Sequence, residues 1–190
     1  MELKFVTTNP AKFSIARRIL KRYGIRVVAT PMDLQELQSI DTREVAMDKA
    51  RQVSRLIGNT SFMVEDSGVN IDALHGFPGA LLKPVISAIG EEGLLKMMKG
   101  MGRSARFINT AVLYNRATKK FHSFTSCSRG SIGYSISGTR IPGWAIDRIF
   151  VPEGAEKPIA SMTPGQRRQF SEGLAKGLHY NKVGRILSGK

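Results

Sequence analysis

The sequence contains very little cysteine, histidine and tryptophan, and it has no long run of apolar residues. The single cysteine, Cys127, excludes an intrachain disulfide and a cysteine-rich zinc site, and it suits a reducing compartment. No apolar stretch approaches the roughly 18 residues that a membrane-spanning helix requires. The first residues lack the basic segment and apolar core of a signal peptide. We therefore expect a cytoplasmic protein that has no membrane partner.

Acidic residues are also scarce, since 15 Asp and Glu stand against 29 Lys and Arg and the formal net charge is +14. The imbalance is uneven: residues 1–32 carry +6, residues 33–92 carry −5 and residues 93–190 carry +13. A strongly basic surface attracts polyanions, so nucleotides and nucleic acid are candidate partners. A basic soluble protein without such a partner would have the same composition. The acidic middle is where carboxylate chemistry is expected.

The pattern of apolar residues predicts a mixed α/β fold in one domain, residues 1–190, because 190 residues with 42% hydrophobic content can bury a full core. We expect an elongated, two-lobed central β-sheet flanked by helices, with lobe one at about 1–100 and 143–190 and lobe two at about 103–142. Residues 84–89 resemble a buried turn or short helix, and the basic tail 181–190 is assigned no element. The predicted strands are 3–7, 26–30, 62–64, 105–114, 120–126 and 128–137, and the predicted helices are 10–23, 42–57, 91–99 and 166–178.

One short stretch stands out as a candidate site. The apolar residues 62–64 are followed at once by Glu65 and Asp66, and then by Ser67 and Gly68. Asp-Ser-Gly is typical of turns, so the pattern predicts that both carboxylates emerge at a strand end, where α/β proteins bind ligands. Neighbouring strand residues point to opposite faces, so only one should face a cleft unless the strand has already ended. A solvated Asp-Ser-Gly turn explains the same residues.

A second candidate is the turn after the first predicted strand. Residues 7–12 offer hydroxyls, the amide of Asn9, backbone N–H groups at a helix start and the side chain of Lys12. These groups can bind phosphate. Thr and Asn are also ordinary residues at helix N-termini, so the turn alone does not distinguish the two interpretations.

With these motifs placed, the chain resembles the inosine triphosphate pyrophosphatase family, whose members hydrolyse non-standard purine nucleoside triphosphates such as ITP, dITP and XTP. The resemblance covers nearly the whole chain. The matching segments are Thr7-Thr8-Asn9-Pro10-Ala11-Lys12, Asp33-Leu34-Gln35-Glu36, Val64-Glu65-Asp66-Ser67-Gly68, Ala73-Leu74-His75-Gly76-Phe77-Pro78-Gly79, Gly90-Glu91-Glu92-Gly93-Leu94-Leu95-Lys96 and Gly143-Trp144-Ala145-Ile146-Asp147.

The resemblance implies that the nucleotide binds in a cleft between the two lobes of a homodimeric enzyme, with Mg²⁺ as cofactor. It implies three groups of site residues. The metal ligands are Glu36, Glu65 and Asp66; the catalytic residues are Asp66, Lys49 and Asp147; and the substrate-binding residues are Thr7, Asn9, Lys12, Lys83 and Trp144.

Several residues differ from the family pattern, and they lie mainly on the side that binds the base. The Ser-His-Arg motif that reads the base corresponds to Ser171-Glu172-Gly173, and the Asp-Pro pair to Asp147-Arg148. A carboxylate and a glycine cannot offer the donors of histidine and arginine. The resemblance therefore implies a divergent member with altered base recognition.

Two hypotheses follow. The first is a metal-dependent pyrophosphatase that converts nucleoside triphosphates to monophosphates and pyrophosphate. The second is a catalytically reduced or inactive relative that binds RNA or associates with the ribosome, as the basic flanks, Arg167-Arg168 and residues 103–106 suggest. The retained acids and lysines favour the enzyme.

Overall fold

The structure is a computed structural model that describes residues 1–58, 60–175 and 179–189, without the side chains of residues 171–175. Its described part forms one mixed seven-stranded sheet with helices packed on it, which confirms the predicted mixed α/β fold. None of the described helices is long and apolar enough to cross a membrane.

The sheet has the strand order β2-β1-β3-β5-β6-β7, and the short strand β4 also pairs with β3. Parallel pairs join β1 to both β2 and β3, whereas the remaining pairs are antiparallel. The strands are β1 (Glu2–Val6), β2 (Arg26–Ala29), β3 (Phe62–Ile71), β4 (Pro78–Gly79), β5 (Ser104–Asn115), β6 (Lys120–Ile132) and β7 (Phe150–Pro152).

Helix ends follow local sequence signals. Asn9 caps the first helix by accepting from the N–H groups of Ala11 and Lys12, and Asp41 caps the second by accepting from Arg43 N–H. Thr163 and Gln166 exchange the two hydrogen bonds of a capping box before the fourth. The helices are α1 (Pro10–Lys21), α2 (Thr42–Ile57), α3 (Leu82–Met97), α4 (Pro164–Ala175) and α5 (His179–Ser188).

Two expectations from the sequence were wrong. The strand through residues 62–64 does not end at Glu65, because β3 continues to Ile71 and its antiparallel pairing with β5 runs along its whole length. The predicted strands 120–126 and 128–137 form one strand, β6, that ends at Ile132. Of the two alternatives for residues 84–89, the short helix is confirmed: they belong to the first part of α3, although they are partly exposed, and α3 bends at Gly90, where φ is +68°.

The basic tail is also helical, although no element was assigned to it from the sequence. Helix α5 packs Tyr180 and Val183 into a core cluster with α1 and the first strands. Their spacing, with Ile186 and Leu187 following, is typical of one apolar helix face. The positive charges of this segment obscured that periodicity.

Both sides of the sheet are covered. Alternate β3 residues face opposite sides: Met63 joins the core that contains α1 and α5, while Phe62 and Val64 join the core that contains α2. A third core cluster surrounds β7 and the loop before it. Two consecutive residues of β3 therefore meet entirely different surroundings.

Candidate active site

A cavity of about 630 Å³ opens where the edge of β3 is unpaired. On this edge β1 pairs with β3 only as far as Val64, and β4 begins to pair at Val69. Among the described strands, residues 65–68 have no partner on this side. The cavity is lined by Val6 at the end of β1, by Glu65, Asp66 and Ser67, and by Ala80 after β4. The gap therefore places both carboxylates beside one cavity although they leave opposite faces of the strand.

Glu65 lies on the face that α1 and α5 cover. Its carboxylate accepts a hydrogen bond from the Tyr180 hydroxyl, and the Lys12 Nζ and His179 Nε2 atoms each lie 3.6 Å from its oxygens. The Ser126 hydroxyl in turn contacts His179 Nδ1 at 3.0 Å. Burial by itself raises the pKa of Glu65, but Lys12, His179 and Tyr180 together lower it to about 2. Glu65 is thus a buried carboxylate whose neighbours favour its charged form.

Asp66 lies on the opposite face and meets α2. Lys49 donates to Asp66 Oδ1 at 2.7 Å and to Glu36 Oε1 at 2.6 Å, so one ammonium joins the strand to the loop before α2. The other oxygen, Asp66 Oδ2, is buried without a hydrogen-bond partner in the described part of the chain. Burial raises the pKa of Asp66, and Lys12 and Lys49 offset part of that effect. Lys49 lowers the pKa of Glu36.

The turn between β1 and α1 forms another wall of the cavity. Asn9 accepts from Ala11 N–H at 2.9 Å and from Lys12 N–H at 3.2 Å, while its Nδ2 atom donates to the carbonyl of Gly143 at 2.8 Å. The Thr7 hydroxyl accepts from Asn9 N–H at 3.0 Å. The helix start and Lys12 together favour an anion at this wall.

The far wall is apolar and aromatic. Phe107 on β5 lies with its ring centroid 6.0 Å from that of Trp144, which also lies 6.2 Å from the ring of Phe170. Ile15 and the buried Asn109 line the same cavity. The cavity is thus lined by lysines paired with carboxylates and by aromatic side chains, which is a suitable set of surfaces for a phosphorylated aromatic ligand.

The structure brings nine of the ten predicted site residues to this one cavity, and their roles remain predictions. The nine are Thr7, Asn9, Lys12, Glu36, Lys49, Glu65, Asp66, Lys83 and Trp144.

Asp147, the tenth, is not among the cavity-lining residues. Its side chain is fully buried, Oδ2 accepts from Ile141 N–H at 2.5 Å, and Oδ1 lies 3.6 Å from Arg140 Nη1. Burial raises the pKa of Asp147 above its ordinary value. The carboxylate organises the loop before β7 from within.

Among the cavity-lining residues that sequence reasoning missed are Phe107 and Asn109 on β5 and His179 and Tyr180 at the start of α5. The apolar periodicity of α5 could have located the helix, but only the tertiary structure shows that its first turn reaches Glu65. The family's base-reading motif corresponds to Ser171-Glu172-Gly173, and these side chains lie outside the described part of the structure.

Among the described residues, no cluster of three or more His, Cys, Asp or Glu side chains forms a ready metal-binding group. Lys49 lies between the carboxylates of Glu36 and Asp66, and Glu65 leaves the opposite face of β3. A zinc-type site built entirely from protein ligands is therefore not present in this part of the chain.

The fold is mixed α/β, and its cavity suits a phosphorylated aromatic ligand. The chain belongs to the Ham1 family, whose profile matches residues 3–173. It is 39% identical over 172 residues to the dITP/XTP pyrophosphatase of Methanopyrus kandleri, which covers 90% of this chain and 89% of that protein. It is 33% identical over 187 residues to the enzyme of the same name from Ignicoccus hospitalis, with 98% and 96% covered. These matches confirm the resemblance: relatives of the chain are hydrolases of nucleoside triphosphate anhydride bonds.

Solved structures agree on the fold. A HAM1 protein from Coxiella burnetii matches with a TM-score of 0.81 at 20% identity, with 100% of each chain covered. A protein from Mycobacterium abscessus, described as a nucleoside-triphosphatase and dITP/XTP pyrophosphatase, matches with a TM-score of 0.74 at 23% identity, with 100% of this chain and 98% of that one covered.

Proposed function

We propose that this protein hydrolyses nucleoside triphosphates of non-standard purines to the monophosphate and pyrophosphate. The observation that carries the proposal is a single cavity in which Lys12, Lys49 and Lys83 stand beside Glu36, Glu65 and Asp66, next to an aromatic wall. The names of the similar archaeal enzymes support the same substrate class.

The lysines that line the cavity can bind the polyphosphate of the substrate. Negative charge accumulates on pyrophosphate as it leaves, and fixed ammonium groups and helix N–H groups stabilise that charge. Lys12 and Lys49 already lie within 4 Å of site carboxylates, so each can move between a carboxylate and a phosphate oxygen without leaving the cavity. Lys83 is exposed at the rim, where it adds positive charge for the incoming substrate.

Asp66 is the group best placed to orient the attacking water. Its unpartnered Oδ2 can accept a hydrogen bond from water, and its raised pKa makes it a better proton acceptor than an exposed aspartate. Proton transfer to this oxygen would leave hydroxide to attack phosphorus. Glu65, held charged by Lys12 and Tyr180, is unsuited to that step.

Magnesium fits this donor set in one specific way. Mg²⁺ binds oxygen ligands, keeps several waters and needs only one or two protein carboxylates when a triphosphate supplies the rest. Glu36 and Glu65 provide such oxygens at the cavity, which leaves the unpartnered Asp66 Oδ2 for the attacking water. When bound, the ion would neutralise phosphate charge and help to align the triphosphate.

Base recognition depends on the aromatic wall in this proposal. Trp144 offers a flat surface for a purine, and Asn109 lines the same cavity. Base selection would differ from that of relatives carrying a Ser-His-Arg motif, because the corresponding residues here are Ser171-Glu172-Gly173. Asp147 would act on the nucleotide only through the loop that it organises.

A nucleotide panel tests the proposal. Purified protein is incubated with ITP, dITP, XTP, ATP and GTP, with Mg²⁺ or with excess EDTA, and pyrophosphate and monophosphate are measured. We expect pyrophosphate release from at least one non-standard purine triphosphate, and its loss in EDTA. Absence of turnover across the panel, at every metal condition, would refute the proposed function.

We also propose that the protein forms a homodimer, as the family resemblance implies. Large apolar side chains remain exposed in the described chain, among them Leu56 at 65% and Ile89 at 41%, and a subunit interface would cover such groups. Sedimentation equilibrium at several protein concentrations measures the mass; a monomer at all of them contradicts the dimer.

One observation favours a second candidate, RNA binding. Tyr134 is 83% exposed, and the guanidinium of Arg103 lies 4.6 Å from its ring centroid. Exposed aromatic rings beside arginines bind single-stranded bases and phosphates. Filter binding of an unstructured RNA in increasing salt, with Tyr134→Ala and Arg103→Glu, should show weaker binding in both variants. Equal binding by all three proteins would remove this candidate.

A further inference from the structure

The loop between β6 and β7 carries Gly143, Trp144 and Ala145 to the cavity, and the backbone carbonyl of each is held by a side chain. Asn9 Nδ2 donates to the Gly143 carbonyl at 2.8 Å. Arg140 Nη1 donates to the carbonyl of Trp144 at 3.3 Å and to that of Ala145 at 3.0 Å. Hydrogen bonds from Asn9 at one end and from Arg140 at the other thus hold residues 143–145, which include Trp144.

Arg140 forms an ion pair with Glu91 on α3. Arg140 Nη2 lies 2.5 Å from Glu91 Oε2, and the Glu91 side chain is fully buried. Arg148 reaches the same oxygen, with Nε at 2.7 Å and Nη2 at 2.5 Å. A buried carboxylate of this kind persists only when cations compensate it. The two arginines share Glu91, but only Arg140 also contacts the carbonyls of the cavity-lining residues.

We propose that Arg140 is a positioning residue for nucleotide binding, which sets the orientation of Trp144 by linking two loop carbonyls to the buried Glu91. The inference rests on the proposed function only for the identity of the ligand. Arg148 neutralises Glu91 and stabilises the loop without setting the position of Trp144.

The chemistry of arginine explains why this position requires it. A guanidinium presents several N–H donors in a rigid plane, so one nitrogen can face a carboxylate while another faces carbonyls. A lysine ammonium at position 140 can keep an ion pair with Glu91, but it cannot hold that carboxylate and both carbonyls in the same planar arrangement. Lysine substitution therefore separates charge compensation from positioning.

Arg140→Lys and Arg148→Lys form a matched pair, because both residues contact Glu91 Oε2 and both variants keep the charge. Trp144 is the sole tryptophan, so its emission reports the position of the loop directly. In Arg140→Lys we expect KM for ITP to rise about tenfold while kcat changes less than about threefold. We also expect a red-shifted Trp144 emission and stronger quenching by acrylamide. Arg148→Lys should keep KM within about twofold and leave the emission unchanged.

Equal effects of the two lysine variants on KM and emission, or no effect of either, would overturn the proposal, because they would reduce the cluster to loop stability alone. Circular dichroism and thermal unfolding of both variants show that the chains are folded. Emission does not depend on turnover. If the wild-type protein releases pyrophosphate from no nucleotide, the proposed function fails, while the difference in emission still decides whether Arg140 positions Trp144.

Discussion

Two adjacent residues, Glu65 and Asp66, have opposite environments because they leave opposite faces of β3. Glu65 meets Lys12, His179 and Tyr180, and its pKa falls to about 2. Asp66 meets Lys49 but keeps one oxygen without a partner, and burial raises its pKa. Titratable neighbours whose environments push their pKa values apart can take different roles in one reaction. Geometry therefore separates a fixed anion from a group that can take up a proton.

Replacement of Asp66 by asparagine should remove the acceptor for the proton of the attacking water. We expect kcat for pyrophosphate release to fall by at least about a hundredfold. Asp72→Asn is the matched control, because Asp72 is half exposed and lies outside the cavity in an ion pair with Arg106. Steady-state kinetics on the best substrate measures both variants. Retention of more than a tenth of wild-type kcat by Asp66→Asn would assign the water to another group.

Replacement of Tyr180 by phenylalanine should leave a buried carboxylate with one donor fewer. The Tyr180 hydroxyl donates to Glu65, and both side chains are buried. The expected loss in the free energy of unfolding is about 1–3 kcal/mol, measured by urea denaturation. Tyr23→Phe is the comparison, because its hydroxyl bonds the partly exposed Asn181 at 3.0 Å. Tyr23→Phe should lower the free energy of unfolding by less than about 1 kcal/mol. If Tyr180→Phe lowers it by no more than that, the Tyr180 hydroxyl contributes little to stabilising the buried Glu65 carboxylate.

At the scale of elements, the cavity exists because β3 is longer than its partners on one edge. Parallel pairing with β1 stops at Val64, and β4 supplies only two residues further along. Helix α2 on one face and α5 on the other then close the two sides of the opening. The position of the site is therefore a consequence of strand lengths, and not of a turn after Asp66.

The contact between β3 and β4 is very close and should not tolerate a side chain. A Cβ atom at Gly68 would lie 2.2 Å from the carbonyl oxygen of Gly79, which is backbone and cannot rotate away. We expect Gly68→Ala to lower the free energy of unfolding by about 1–3 kcal/mol. Gly102→Ala is the control, since nothing lies within 4 Å of its Cβ position. It should be neutral or slightly stabilising in the same urea titration. If the two alanine variants prove equally stable, β4 must be free to move away from β3.

At the scale of the whole molecule, the charge distribution favours capture of an anionic substrate. The excess of positive charge lies in residues 1–32 and 93–190, before and after the acidic segment 33–92 that contains the site carboxylates. Long-range attraction raises the association rate of a triphosphate, and salt screens it. The same charge supports the RNA-binding candidate, so both proposals rest on the same electrostatic argument.

Raising the salt concentration should therefore weaken substrate capture. Between about 0.05 M and 0.5 M NaCl we expect kcat/KM to fall several-fold, because the Debye length shortens from more than 10 Å to about 4 Å. The value of kcat at saturating substrate is the internal control and should change much less. A kcat/KM that does not respond to salt would mean that the basic flanks play no part in binding the nucleotide.

The sequence alone predicted much of this protein because the signals concerned are local. These signals depend on neighbouring residues: capping residues such as Asn9 and Asp41, segments rich in β-branched residues, and the family motifs. The structure confirms the helices that follow Asn9 and Asp41. The motifs also named nine residues that line the cavity. The continuation of β3 past Asp66 was missed because pairing with β5 outweighs the turn preference of Asp-Ser-Gly.

What the sequence by itself determined is the set of chemical groups: carboxylates, lysines and an aromatic residue in motifs that resemble one enzyme family. Only the tertiary structure decided how they are joined. It brings Tyr180 to Glu65 across 115 residues and Arg140 to Glu91 across 49. Such contacts depend on which strand edge stays open and where the last helix docks, and no local pattern specifies either, because both result from packing between segments distant in the chain.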